Sequence, residues 1–273
     1  MANVDLARTL ARELLESEIV LSELRYSDDQ PRDDHGRFAS GGSGDTPSGG
    51  SSGSSGSGGG SGGGVSAGNG DPLAAILSDE DPNAIDTNAG YQPFVDAETK
   101  QYDTLTSAQN EALGLYTGTA YSSINGALRG NQAMDAGTAS IASDLDTAID
   151  SNGYSLAADS TLYRGVNVQS GATAAGDLQA GQVLQDDAFL STSASADIAT
   201  QFSFAKGLDV DTNATTSYVL QLSAPAGTNY LIGSTAEREL LLGRDTPMVV
   251  DSVDMDYQQG YLNIPRVYAH IGG

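Results

Sequence analysis

Two of the chain's nine glutamates stand one residue apart, in Glu237-Arg238-Glu239, directly ahead of the apolar run Leu240-Leu241-Leu242. In an extended segment positions i and i+2 face the same way, so both carboxylates would address one ligand while Arg238 points away. Like charges that close repel, so such a pair needs a function or a cation; an exposed loop ahead of a buried strand is the plainer alternative. Two further features lie in strand-like sequence. Arg164, in TLYRGVNV, is costly to bury without an anionic partner and is suited to grip a diphosphate through two parallel hydrogen bonds; the alternative is an edge-strand charge facing water. Ser191-Thr192-Ser193 closes the apolar run Ala188-Phe189-Leu190. Hydroxyls there orient a ribose or a carboxylate, or else cap a helix starting near Ala196.

Composition narrows the chemistry to carboxylates. The 273-residue chain has no cysteine and only two histidines, His35 and His270. Disulfides, thiol nucleophiles and Cys-type zinc sites are excluded, and neither a His-based triad nor a multi-His metal centre is expected. The formal charge is −24, from 36 acidic and 12 basic residues. Nucleic acid and anionic membranes are held by clustered Lys and Arg, so neither is an expected partner. Lys100 and Lys206 are the only lysines, which fits either a salt-rich host or simply a self-repelling, hydrated surface. No apolar run approaches the roughly 20 residues of a membrane span, and the N-terminus lacks the apolar core of a signal peptide. No G-x-G-x-x-G turn follows a strand, so a Rossmann site is not supported.

The elements that must position these residues follow an order, helices first and strands afterwards. Residues 4–24 carry an amphipathic stripe through Leu6, Leu10 and Leu14, and a lone tethered helix of this kind docks on a partner, self-associates or frays. Residues 41–64 are almost all Gly and Ser, the composition of a flexible coil. The Thr106–Gln109 spacing predicts a capping box, opening a helix through Leu113, Tyr116, Ala120, Ile124 and Ala127 that stops at Gly130. A second helix is predicted over 133–150, with Met134, Ile141, Leu145 and Ile149 inward. From residue 160 the segments TLYRGVNV, QVLQDDAFLSTS, SYVLQLSA, TNYLIG, ELLLG, MVVDSVDMD and YLNIPRVYAHI read as strands, interrupted by one helical patch near 196–206. This order is α+β.

Taken in sequence, Arg164, Ser191-Thr192-Ser193 and Glu237-x-Glu239 resemble the R-S-E class of ADP-ribosyltransferases, which includes binary-toxin enzymatic components, arginine-directed exotoxins and phage-encoded transferases. The resemblance covers about residues 90–273, through Y-R-G at 163–165, F-L-S-T-S at 189–193, E-R-E-L-L-L at 237–242 and the helix YTGTAYSSINGALRG at 116–130. It implies N-terminal helices followed by two packed, roughly perpendicular antiparallel-rich sheets that form an NAD cleft. It also implies roles. Glu239 stabilises the oxocarbenium-like state as the bond between ribose C1′ and nicotinamide breaks. Arg164 holds the diphosphate, and Gly165 lets the backbone approach the nicotinamide amide. Ser191, with Thr192 beside it, orients NAD and Glu239. Tyr116, Tyr121 and Asn125 lie near the nicotinamide mononucleotide half. Phe202, or alternatively Phe204, stacks on nicotinamide. Glu at position 237 goes with arginine as acceptor, because a guanidinium with a pKa above about 12 is a poor nucleophile until a carboxylate orients it and takes its proton.

The expected division is a tethering segment at 1–40, a flexible linker at 41–70 and a catalytic domain at 71–273. Residues 30–42, QPRDDHGRFASGG, resemble a motif of phage-encoded head and minor structural proteins. The N-terminal helix is therefore expected to dock on a virion or another protein, and the enzyme to travel with a virion or into a host cytoplasm, or to act as an extracellular toxin. The expected activity is mono-ADP-ribosyl transfer from NAD, as substrate, to arginine of a target protein, with no metal. Two alternatives share the same residues: an NAD glycohydrolase, and a virion-associated structural module with a vestigial transferase domain.

Overall fold

The computed structural model describes residues 70–78, 84–167, 173–204, 217–259 and 262–272, all within the second of the chain's two units, Gly62–Gly273. The expected N-terminal helix, the phage-like segment and the Gly/Ser-rich stretch lie outside the described residues. Among the described residues no helix is long and apolar enough to cross a membrane.

Near the start, Asp71 ties the chain down. Its carboxylate accepts from the amides of Leu73 (2.9 Å) and Ala157 (3.0 Å) and from the Tyr230 hydroxyl (2.6 Å). A short helix α1 (Ala74–Leu77) precedes α2 (Asn88–Thr104). Thr87 caps α2 by accepting from the Gly90 amide at 3.0 Å, which satisfies one orphan donor of the first turn. One face of α2 buries Phe94, Ala97 and Gln101. Gln101 is enclosed without penalty because its amide pairs both ways with Ile232: Nε2 donates to the carbonyl (2.9 Å) and Oε1 accepts from the amide (2.7 Å).

The predicted capping box opens α3 (Ser107–Leu115), with both reciprocal bonds between Thr106 and Gln109 present. The single helix expected up to Gly130 is instead broken. A π turn at Tyr116–Ala120 departs from helical geometry at Gly118 (φ −89°, ψ −122°), and α4 (Tyr121–Leu128) resumes afterwards. A residue without Cβ yields most readily to such a kink. Gly130 ends the element as expected, in the left-handed region at φ 73°. Helix α5 (Ala136–Thr147) starts later than predicted because Asp135 is its cap, accepting from the Thr138 amide at 2.7 Å. Met134 therefore precedes the helix and is exposed, contrary to expectation, while Leu145 and Ile149 are buried.

The strands are β1 (Tyr154–Ser155), β2 (Ser160–Val166), β3 (Val183–Leu184), β4 (Leu190–Ser193), β5 (Tyr218–Ala224), β6 (Asn229–Ile232), β7 (Glu239–Leu242), β8 (Met248–Asp254), β9 (Gln258–Gln259), β10 (Leu262–Asn263) and β11 (Arg266–Ile271). The run QVLQDDAFLSTS splits into β3 and β4 because the Asp186 carboxylate accepts from the Ala188 amide at 3.1 Å, a turn that competes with pairing. YLNIPRVYAHI splits at Pro265, which has no amide to donate. Helix α6 (Ala196–Phe204) follows β4.

Nine strands pair in the order β1-β6-β7-β4-β2-β5-β11-β8-β3, with β9–β10 as a separate ribbon. In the nine-stranded sheet every pairing is antiparallel except β5 with β11. The fold is α+β as expected. The two sheets inferred from the resemblance are joined: β2 and β4 meet at one registered pair, Tyr163 with Ser193, making one sheet with a thin seam. The β6–β7 half is covered on both faces. Leu240 and Leu242 pack in the cluster that contains Phe94 and Ala97 of α2, whereas Leu241 packs with Tyr116, Ile124 and Leu145 from α4, α5 and the π turn. That explains an unbroken Leu-Leu-Leu run, each side chain contributing roughly 1.5–3 kcal/mol by leaving water.

Candidate active site

Glu239 opens β7 and pairs in register with Ser193 of β4. The residue is almost wholly enclosed, at 5% exposure, and each carboxylate oxygen has a donor. Ser191 Oγ donates to Oε1 at 2.5 Å, and the Ser234 amide donates to Oε2 at 2.8 Å. Gly233 makes the room: a Cβ there would stand 2.1 Å from Oε2. Burial drives the Glu239 pKa above the usual carboxylate range, opposed by Ser191, the Ser234 amide and the charge of Arg164.

Arg164 comes from β2, one residue past the seam at Tyr163. Its Nη1 donates to the Ser191 carbonyl at 3.0 Å, and its Nη2 reaches Asp186 at 3.4 Å. Ser191 is the hinge of the site, with its side chain on Glu239 and its carbonyl on Arg164. The strand's period of two decides the rest of the triplet. Ser193 shares Ser191's side and donates to the Glu237 carbonyl at 2.7 Å, while Thr192 faces the other way, buried, and donates to the Leu240 carbonyl at 2.7 Å. The Thr192 hydroxyl expected to meet NAD is thus committed to the backbone.

Glu237 does not lie in the extended segment that the i, i+2 argument assumed. It ends a 3₁₀ turn, Thr235–Glu237, and Arg238 is left-handed (φ 48°) before β7 begins. The chain reverses from β6 to β7 across this turn, so Glu237 sits half-buried on it while Glu239 is enclosed in the strand. Gly165 likewise has a packing role beyond the expected one. A Cβ there would meet the Ala199 carbonyl oxygen at 2.1 Å and the Ser203 nitrogen at 2.5 Å, so its bare Cα is what lets α6 lie against β2. Phe202 on that helix is exposed at 44%, consistent with a face left for a ring; the Phe204 side chain lies outside the described set.

Tyr116 and Asn125 form a buried pair. Asn125 Nδ2 donates to the Tyr116 hydroxyl at 3.0 Å, and Asn125 Oδ1 has no partner. Tyr116 packs edge-on against Phe189, and burial pushes its hydroxyl up to about 12. Tyr121, one turn before Asn125, is exposed at 52%. Sequence reasoning missed Arg129 and Asp186. Arg129, at the end of α4, makes a bidentate pair with Asp186 (Nε–Oδ1 2.7 Å, Nη2–Oδ2 2.6 Å), so one carboxylate bridges Arg129 and Arg164. Burial is the largest influence on Asp186 and raises its pKa, but Arg129, Arg164 and the Ala188 amide together hold it below the usual range. Arg129, Arg164, Gly165, Asn167, Asp186 and Tyr218 line one cavity of about 440 Å³. Arg129 was visible as the one arginine in the helix at 116–130; Asp186 carried no signal in so acidic a chain.

An enclosed carboxylate held by a serine, that serine's carbonyl held in turn by Arg164 of the sheet, and Arg129 of the helical layer bridged to Arg164 through Asp186 point to a class of protein. A family model described as ADP-ribosyltransferase exoenzyme matches residues 92–265, and the chain belongs to this family of mono-ADP-ribosyltransferase toxins, for which NAD is the substrate. Secreted exoenzyme S of Pseudomonas aeruginosa is 36% identical over 97 residues, which is 36% of this chain and 20% of that protein. Among solved structures, the Vis toxin, an ADP-ribosyltransferase of Vibrio splendidus, shares 18% identity over 73% of this chain and 90% of its own (TM-score 0.51). The ADP-ribosylating toxin BECa of a C. perfringens binary enterotoxin, solved with NADH, shares 18% identity over 66% of this chain and 47% of its own (TM-score 0.50). At these structural identities the likeness is one of fold.

Proposed function

We propose that this chain transfers ADP-ribose from NAD to the guanidinium of an arginine in a protein acceptor. Two guanidiniums on one cavity, Arg129 and Arg164, suit the diphosphate. Asn125 Oδ1, buried and without a partner, is an acceptor for the nicotinamide mononucleotide half, and the exposed rings of Tyr121 and Phe202 are the aromatic faces assigned to it. The C1′–nitrogen bond of the nicotinamide riboside breaks, and its electron pair leaves with neutral nicotinamide. Glu239, ionised, stabilises the positive charge that develops on the ribose. An arginine nitrogen then bonds to C1′ and gives its proton to Glu237.

The single observation that carries the acceptor reading is the division between the glutamates: Glu239 is enclosed and doubly bonded, while Glu237 sits two residues earlier on a half-buried turn. The test uses labelled NAD with agmatine as the acceptor probe. Glu237→Gln is expected to retain nicotinamide release within about twofold and to lose at least about 100-fold in agmatine modification. Equal loss of both rates overturns the assignment, and release of free ADP-ribose alone by wild type identifies a glycohydrolase. Exoenzyme S is described as secreted, and we extend that to delivery of this chain to a host protein.

A further inference from the structure

The residue between the two glutamates holds a backbone conformation that L-residues rarely adopt, φ 48° and ψ 38° at Arg238. Only Arg238 and Asp245 among the described non-glycine residues have positive φ. Such a conformation persists where surrounding contacts over-determine it, and here they come from two sides. On the β4 side, Ser193 Oγ donates to the Glu237 carbonyl (2.7 Å) and the Ala194 amide donates to the Arg238 carbonyl (3.0 Å). On the α2 side, the Arg238 guanidinium lies over the Tyr91 ring at 4.8 Å, Nε donates to the Ile85 carbonyl (3.3 Å), and the Tyr91 hydroxyl meets Thr235 Oγ1 at 3.4 Å. Arg238 also closes on its own turn, Nη1 donating to the Ala236 carbonyl at 3.1 Å.

We infer that Tyr91 and Arg238 form a clamp that fixes the 234–238 turn and thereby sets where Glu237 meets the acceptor. Both are positioning residues for acceptor transfer; the inference rests on the acceptor role assigned to Glu237 above. The clamp acts on one glutamate and spares the other. The base of the turn is closed by backbone bonds independent of Tyr91, from the Glu239 amide to the Ser234 carbonyl (3.0 Å) and from the Gly233 amide to the Glu239 carbonyl (3.0 Å). Glu239 also keeps its pairing with β4. Without the ring beneath it, Arg238 loses the contact that supports its left-handed backbone, and Glu237, one residue away, moves with it. A helix remote from the reacting atoms in sequence is thus made part of acceptor selection.

The experiment compares full-length wild type with Tyr91→Ala, Tyr91→Phe and Arg238→Gly, the last tolerating positive φ while removing the guanidinium. Three quantities are read: amide hydrogen exchange over residues 235–238, nicotinamide release without acceptor, and ADP-ribosyl transfer to agmatine. In Tyr91→Ala the Glu237 and Arg238 amides, which donate to Ser234 and Thr235 carbonyls, exchange about tenfold faster while those of β7 do not change. Transfer falls about tenfold with nicotinamide release kept within about twofold. Tyr91→Phe keeps the ring face under Arg238 and loses only the long hydroxyl contact with Thr235 (3.4 Å), so it stays within about twofold of wild type in each quantity, and Arg238→Gly reproduces the transfer loss even should Tyr91→Ala fail to fold. Equal loss of release and transfer, or no change in either exchange or partition, overturns the clamp. Should wild type not modify agmatine, the acceptor reading fails by itself. The clamp is then decided by exchange alone: faster exchange confined to the turn upholds it, and unchanged exchange refutes it.

Discussion

Replacing Ser191 with alanine isolates one bond of the active site. Ser191 Oγ is the donor to Glu239 Oε1 at 2.5 Å, and Oε2 keeps its separate donor, the Ser234 amide, in the variant. The Ser191 carbonyl still accepts from Arg164, because that bond is to the backbone. The substitution therefore removes one hydrogen bond to a charged group, worth about 2 kcal/mol within a protein. If that bond holds Glu239 in its working orientation, kcat for nicotinamide release falls about thirtyfold, with KM for NAD little changed because Arg129 and Arg164 are untouched. A second effect has a fixed sign. Ser191 favours the ionised form of Glu239 against burial, so its loss raises the Glu239 pKa further and moves the acid limb of the rate profile to higher pH. The assay is nicotinamide release from labelled NAD between about pH 4 and about pH 9. A kcat within about twofold of wild type, or a loss with the acid limb unmoved or lowered, refutes the account of Ser191 as the donor that orients and ionises Glu239.

Two more perturbations follow from the same geometry. Burial raises the Glu239 pKa in the folded protein, so the cost of its charge is absent below the ordinary carboxylate range and fully present above the raised value. Glu239→Gln should therefore lose activity yet raise Tm at about pH 7 and not at about pH 4, read by calorimetry; a lower Tm at neutral pH contradicts this. Asp186→Asn removes the carboxylate that bridges Arg129 and Arg164, leaving two like charges to splay. KM for NAD should rise about tenfold with a smaller effect on kcat, and an unchanged or lower KM in steady-state release counts against a positioning role for Asp186.

What the sequence made legible depends on how local the cause is. The Leu240–Leu242 run, the Thr106 capping box and the turn residues between strands each act within a few positions, and each element forms nearly where its pattern predicts. Ser191 and Ser193 on one side with Thr192 on the other also follows from strand period alone. The departures arise where the cause is distant. Gly165 reads as a place where backbone approaches nicotinamide, and its second role, seating α6 with the Ala199 carbonyl 2.1 Å from where a Cβ would stand, has a cause 34 positions away that no local pattern carries. Glu237-x-Glu239 reads as two carboxylates on one face, but Arg238 turns left-handed, with Tyr91 under its guanidinium 147 positions earlier in the numbering. Arg129 and Asp186 pair across 57 residues, and no window of sequence joins them.

The site gathers at the weakest joint of the sheet, and that placement has a physical reason. Where strands pair along their full length, side chains on each face are packed against neighbours, as between β2 and β5. Between β2 and β4 one registered pair, Tyr163 with Ser193, holds the halves together, and a cavity lined by Arg164 and Gly165 of β2 and Leu190 of β4 opens beside that joint. Arg164 lies just beyond that pair on one strand, and Ser191 two positions along the other. Glu239 faces Ser193 from β7. A carboxylate that must meet a developing cation needs an enclosed setting for strength and an opening for the substrate. Full pairing of β2 with β4 would close the opening, and loss of the Tyr163–Ser193 pair would separate Arg164 from Ser191. The thin seam is what lets a rigid sheet supply both.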